Sequence, residues 1–160
     1  KNESDILKKN CIDEKPYILF LGRINEKKGL ELLLDSFKIL KNTNQTIYLV
    51  ISGTGDPEYV EQIKKHVKKL DLENWVIFTG LVSQDEKIIL FKSAKLFSLI
   101  SISDIHPRAI EEALTMGVPV VISKESDFPE VMEYNAGIIV NRESKLIADS
   151  FEKLLEDDSY

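Results

Sequence analysis

A single cysteine, Cys11, leaves no partner for an internal disulfide, and nothing stands beside it at metal-ligand spacing. That scarcity favours a reducing compartment over a disulfide scaffold. The two histidines, His66 and His106, are too isolated to suggest a metal site, and none is expected. Long apolar runs are missing too; none approaches the roughly 20 residues that span a bilayer. Positive charge is not in excess: 21 Lys and Arg face 27 Asp and Glu, mixed along the chain, for a formal charge of −6. With no basic footprint and none of the common nucleic-acid-binding signatures, no nucleic-acid partner is expected. The opening residues do not read as a signal peptide, and the chain begins with Lys1 rather than Met. It is therefore expected to be a piece of a longer protein.

Several phosphate-binding and catalytic signatures are lacking as well. No G-x-x-x-x-G-K-[ST] loop and no G-x-S-x-G elbow occurs. Gly53-Thr-Gly55 invites a dinucleotide reading, but Glu58 stands where the third glycine belongs. The pair also follows the second strand rather than the first, which argues against nicotinamide binding.

What is present is ordinary globular material: 160 residues, 43% apolar and 30% charged, enough for one domain with a real core. Residues 1–15 are polar and read as a linker, and the domain proper as 16–157. Tyr17–Leu21 is apolar at every position, as in a parallel strand covered on both faces. A polar turn, Gly22–Gly29, leads to a helix with Leu30, Leu33, Leu34, Phe37 and Leu40 on one face. Further strands are expected at Thr46–Ser52, Trp75–Thr79, Lys95–Ile102, Val118–Ile122 and Gly137–Val140. Helices separate them: one opened by Asp56-Pro57, and one by a capping box of Ser83 and Glu86. Another runs from Pro107 to a Gly117 cap, a short one lies within Ser126–Glu133, and the last spans Ser144–Asp157. Strands alternating with helices in this way specify an α/β fold, a doubly wound, Rossmann-like, mostly parallel six-stranded sheet.

Ligands of such sheets bind at the carboxyl ends of strands. Arg23 leaves the first strand and Lys28 stands at the start of the next helix, an end where the helix dipole prefers acids. With the free backbone N–H groups they can converge on an anion, Arg as a fork and Lys as a point charge. A solvated loop is the alternative. Asp104, on the loop after the fourth strand, and Glu112, on the helix that follows, can face one crevice and accept from vicinal hydroxyls. Their alternatives are an early helix cap and a surface acid. Of Glu111 and Glu112 one must point outward. His66 is expected on the exposed face of its helix, solvated.

Six segments, in order, resemble one family. They are Phe20–Gly29, Val50–Gly55, Val76–Gly80, His106–Val121 with Glu111-Glu112, Phe128-Pro-Glu-Val131, and Ala136–Val140. Together they resemble the C-terminal, donor-binding half of retaining glycosyltransferases of the GT-B fold (the large family 4, or group 1, type). The resemblance spans residues 16–157. It implies that Arg23 and Lys28 bind the donor's diphosphate and stabilise the leaving group without a metal ion. Glu112 matches the second acid of an E-x7-E motif that holds ribose hydroxyls. Asp104 falls where the first Glu contacts the donor sugar. The same resemblance implies backbone N–H groups near Arg108 and Ala109 for the phosphates and a base pocket near Leu81 and Val82. It also implies that Gly22, Gly53 and Gly55 lie along the donor site, the latter two letting the backbone approach the ligand.

Three positions depart from the pattern. Asp104 is one methylene shorter than Glu, Pro107 removes an N–H where many members have Gly, and His106 replaces a common aromatic.

No cofactor is implied; the substrate is a UDP-, GDP- or similarly activated sugar. The acceptor, a glycan, lipid or small molecule, belongs to an N-terminal domain, through which peripheral membrane association could arise. A cytoplasmic location, at the inner face of a membrane in some members, goes with this. Without that domain the piece is expected to transfer no sugar. Competing readings are a degenerate sugar-nucleotide-binding or scaffold domain and a nucleotide-sugar epimerase of the same architecture. A receiver-type signalling domain would need an acidic cluster where Gly22-Arg23 stands.

Overall fold

Strands with no polar face must be covered on both sides, and the chain is built around that requirement. The structure is a computed structural model and describes residues 4–157. β1 (Tyr17–Leu21), β2 (Tyr48–Ser52), β3 (Val76–Gly80), β4 (Leu96–Leu99), β5 (Val120–Ser123) and β6 (Gly137–Val140) form one sheet, ordered β3-β2-β1-β4-β5-β6. Every neighbouring pair is parallel. β4 and β5 are buried at all four positions and β1 at its first four.

The helices are α1 (Ser4–Lys9), α2 (Leu30–Leu40), α3 (Pro57–Lys69), α4 (Gln84–Ser93), α5 (Arg108–Thr115), α6 (Glu130–Glu133) and α7 (Ser144–Glu156). α2 packs against α3 and α7, while α4 packs against α1 and β1, and α5 against β4 and β5. The apolar stripe of α2 is fully covered, Leu30, Leu33, Leu34 and Phe37 each being 0% exposed. Each such side chain contributes about 1.5–3 kcal/mol of hydrophobic stabilisation. No helix of the described residues is long and apolar enough to cross a membrane.

β1 and β4 are neighbours, yet the chain leaves them toward opposite edges of the sheet. Their carboxyl ends therefore flank the crevice that this topology opens.

Several expected boundaries shift, each for a local reason. β4 stops at Leu99 because the backbone beyond it finds loop partners instead of a strand. The Ile102 amide donates to the Lys27 carbonyl (2.8 Å), and the Ile100 carbonyl accepts from Arg142 Nε (3.4 Å). β2 starts at Tyr48 rather than Thr46, since the amides of Thr46 and Ile47 both donate to Asn44 Oδ1. The Val118 amide closes the turn after α5 by donating to the Ala113 carbonyl, so β5 begins at Val120. Pro107 sits just before the first helical residue of α5 rather than inside the first turn.

The polar segment read as a linker contains α1 within its described part. Ile6 and Ile12 are 3% and 1% exposed and join the core, with Leu7 packed against it. His66 is not simply solvated: its Nε2 lies 2.8 Å from Asp35 Oδ1, tying α3 to α2.

Candidate functional site

Two loops close on each other above the ends of β1 and β2. The Gly22 amide donates to the Ser52 carbonyl (3.0 Å) and the Ile24 amide to the Thr54 carbonyl (2.9 Å), with Ile24 and Gly55 forming a bridge. A Cβ on Gly53 would lie 1.9 Å from the Gly22 carbonyl oxygen, and one on Gly55 1.8 Å from that of Ile24. Gly53 also has φ +134°, a region closed to ordinary side chains. These glycines are required first by loop-to-loop contact inside the chain, before any ligand is considered. Gly22 differs: a Cβ there would meet only the Phe20 ring, at 3.8 Å.

Between these loops and the one after β3 lies a cleft of about 440 Å³. Six of the residues singled out from the sequence line it: Gly22, Arg23, Gly53, Gly55, Leu81 and Val82. Arg23 is exposed and makes no hydrogen bond or ion pair among the described residues, so its guanidinium is available. Leu81 is 82% exposed, an apolar side chain left uncovered beside the cleft. Ser52 lines the cleft as well, fully buried and with its Oγ unpartnered.

Lys28 ends a short 3-10 turn, Glu26–Lys28, that is pressed onto the end of β4. Gly29, at φ +66°, makes this approach, since a Cβ there would fall 2.0 Å from the Ile100 carbonyl oxygen. The contact carries Lys28 Nζ onto Asp104 Oδ2, which also accepts from Ser101 Oγ (3.3 Å). The Asp104 amide in turn donates to the Glu125 carbonyl (3.1 Å). Asp104 is thus no helix cap; α5 has no side-chain N-cap. The two acids differ in surroundings: Asp104 pairs with Lys28, whereas Glu112 Oε1 lies 2.5 Å from Lys87 Nζ. Lys87 was not marked by any sequence motif and Ser52 was given no role within Val50–Gly55, yet both line the cleft. Glu111 is the acid that points outward.

The first helical turn of α5 leaves the amides of Arg108 and Ala109 ahead of its first bond, from Ile110 to the Pro107 carbonyl (2.9 Å). Arg108 is exposed, and no contact among the described residues joins it to the cleft. His106, at φ +47°, places its ring 5.0 Å from that of Phe128, tilted at 58°. No three Asp, Glu, His or Cys side chains among the described residues are grouped to hold a metal ion.

The sequence model of the family described as "Glycosyl transferases group 1" matches residues 2–160. The chain belongs to this family. Among similar proteins, the amylovoran biosynthesis glycosyltransferase AmsK of Erwinia amylovora is 36% identical over 124 residues. That match covers 74% of this chain and 30% of AmsK. The mannosylfructose-phosphate synthase of Agrobacterium fabrum is 29% identical over 146 residues, covering 88% of this chain and 31% of that protein. The chain thus spans about a third of the length of these relatives. Among solved structures, HepE of Anabaena in complex with UDP and glucose superposes with a TM-score of 0.82 at 23% identity, over 98% of this chain and 44% of HepE. The C-terminal domain of the group 1 protein LpcC of Francisella tularensis gives 0.77 at 18% identity, over 98% and 84% of the two chains. These likenesses fix the fold of this group 1 chain as that of GT-B C-terminal domains.

Proposed function

We propose that this chain is the donor-binding half of a retaining, metal-independent glycosyltransferase that moves a hexose-type sugar from a nucleoside diphosphate. The acceptor is held by a further domain, and the reaction takes place between the two. The observation that carries the reading is one cleft over the carboxyl ends of β1 and β2 with an unpaired Arg23; the Lys28–Asp104 pair stands outside its lining, at the end of β4. A departing nucleoside diphosphate carries concentrated negative charge, and fixed cations held by packed loops stabilise it without reorganising. Arg23 and Lys28 are those cations, with the amides at the start of α5 as further donors. Leu81 and Val82 cover the base, Glu112 accepts from ribose hydroxyls, and Asp104 accepts from the donor sugar. Retention of configuration is proposed from the order of the family motifs. The uridine nucleotide and glucose bound to HepE support a nucleotide-sugar donor.

Calorimetric titration of the chain with UDP, GDP and ADP, with and without magnesium, tests this. The expected result is binding of one diphosphate irrespective of magnesium, lost in Arg23→Ala. No binding of any of the three at millimolar concentration would contradict it. The chain alone is expected to transfer no sugar from UDP-glucose, and transfer would overturn the assignment of the acceptor to another domain. A second reading, a sugar-nucleotide-binding domain without transfer, draws on Asp104, whose carboxylate is already engaged by Lys28. Diphosphate binding with no transfer by the full-length protein would support that reading instead.

A further inference from the structure

A second cavity, of about 490 Å³, shares Arg23 and no other residue with the cleft. The loop after β1 gives it Arg23, Asn25, Glu26 and Lys27, and the start of α3 gives it Asp56 and Tyr59. Ile24 is 2% exposed and bridges to Gly55, which turns its two neighbours, Arg23 and Asn25, to the opposite face of the segment. Tyr59 is fixed by its hydroxyl, which donates to the Glu31 carboxylate (2.8 Å). Asp56 caps α3 with Oδ1 and has Oδ2 to spare. Arg23, Glu26 and Lys27 are exposed and form no ion pair among the described residues. Asn25 Oδ1 is shielded from solvent and accepts from no donor among them. A shielded acceptor without a donor is costly. The χ2 torsion of an asparagine is soft, so the amide can turn toward a donor in the cavity. The lining also selects the kind of ligand. Two cations, Arg23 and Lys27, are balanced by two carboxylates, Glu26 and Asp56, so neither an anion nor a cation is favoured. Donors and acceptors in equal measure suit a ligand whose polar groups each give and take a proton, as the hydroxyls of a neutral sugar do. The volume falls in the range of small-molecule pockets, roughly 300–1,000 Å³.

We propose that this cavity is a saccharide subsite, taking a neutral glycosyl ring of the acceptor and separated from the nucleotide by Arg23. Saccharide binding follows from the cavity alone, whereas its role for the acceptor rests on the reading of the cleft as the donor site. Arg23, as the common wall, places the ring next to the diphosphate end of the donor. This half of the enzyme, and not only the further domain, then touches the acceptor.

The test is amide NMR of the nitrogen-labelled 160-residue chain titrated with methyl α-glucoside, methyl α-mannoside, maltose and inorganic phosphate, with UDP titrated in parallel. Wild type is compared with Asn25→Leu and Lys27→Met, and thermal melts confirm that each variant is folded. At least one neutral sugar should shift the amides of Asn25, Glu26, Lys27 and Tyr59 at millimolar concentration and leave Leu81 and Val82 unmoved. Asn25→Leu should weaken that sugar about tenfold and UDP by less than about twofold. Lys27→Met, at an exposed position, should weaken the sugar about threefold. Three results would overturn the proposal: no shift near Asn25 from any neutral sugar, tighter binding there of inorganic phosphate than of any sugar, or sugar binding that neither variant weakens. UDP binding in the cleft with no sugar at Asn25 would overturn the subsite alone. Sugar shifts around Asn25 with no nucleotide binding would overturn the donor reading, and the acceptor role with it.

Discussion

Lys28 and Asp104 show how one side-chain pair links fold to chemistry. They are 76 residues apart in sequence and meet because Gly29 lets the first loop press against the end of β4. Both side chains are about one-fifth exposed, so each is the other's main charged partner in a partly dry setting. Lys28→Met leaves Asp104 with only the Ser101 hydroxyl, and should cost about 1–3 kcal/mol in urea unfolding. The same variant should weaken diphosphate binding roughly tenfold, about 1.4 kcal/mol. Asp104→Asn should keep diphosphate binding, since it removes an anion from the site, but lose the added affinity that the sugar gives a nucleotide-sugar. Calorimetry with UDP and UDP-glucose separates the two. Arg23, Lys28, Asp104 and Glu112 as candidates were legible in the sequence. Their pairing was not, because Lys28 and Glu112 each find a partner on a remote element. Lys87 carried no signal at all: a lysine early in an exposed helix reads as solvated until α5 is seen beside it.

The elements themselves were largely written in the chain. β1 is an unbroken apolar run, β4 and β5 are apolar but for Ser98 and Ser123, and the Ser83 capping box starts α4 where the S-x-x-E pattern puts it. Asp56 likewise caps α3, accepting from the amides of Glu58 and Tyr59, with Pro57 in the first helical position. What could not be read was where strands stop, since Ile100 and Ile102 prolong the apolar run yet bond to Arg142 and Lys27 rather than to a neighbouring strand. α1 escaped for a similar reason: Ile6 and Ile12 are few among charged neighbours, and α4, the helix α1 packs against, lies some 75 residues further on. The loops after β1 and β2 behave as one unit, joined through Gly53 and Gly55. Gly53→Ala must relieve both a positive φ and a 1.9 Å overlap with Gly22. It should destabilise the chain by more than about 1 kcal/mol and abolish nucleotide binding even where the fold survives. Urea unfolding and titration of the same sample check both effects.

At the scale of the molecule, the carboxyl end of the sheet holds the cleft and the amino end holds a different kind of charge. Lys41 is 6% exposed, its Nζ 3.2 Å from the centre of the Trp75 ring and donating to the Ile47 carbonyl (3.3 Å). Burial pulls its ammonium down from the ordinary 10.5 to about 8. Between those values the unfolded chain holds a proton that the folded chain has released, so folding stability should rise with pH from about 8 to 10.5. Burial raises the phenol of Tyr17, which donates to the Leu90 carbonyl, and this opposes the trend above pH 10. The difference between wild type and Lys41→Met isolates the lysine: in urea unfolding at pH 7 to 10, wild type should gain stability relative to the variant as pH rises. A constant difference across that range would show that Lys41 stays charged throughout.

The central claim is that the cleft over β1 and β2 receives a nucleoside diphosphate. The most direct measurement is amide NMR of the nitrogen-labelled chain titrated with UDP and GDP, which reports binding and its place together. The account predicts shifts at Gly22, Arg23, Gly53, Leu81 and Val82 and at the first turn of α5, with β6 and α7 unmoved. Shifts centred on β6 and α7, or at the amino end of the sheet around Trp75, would contradict it.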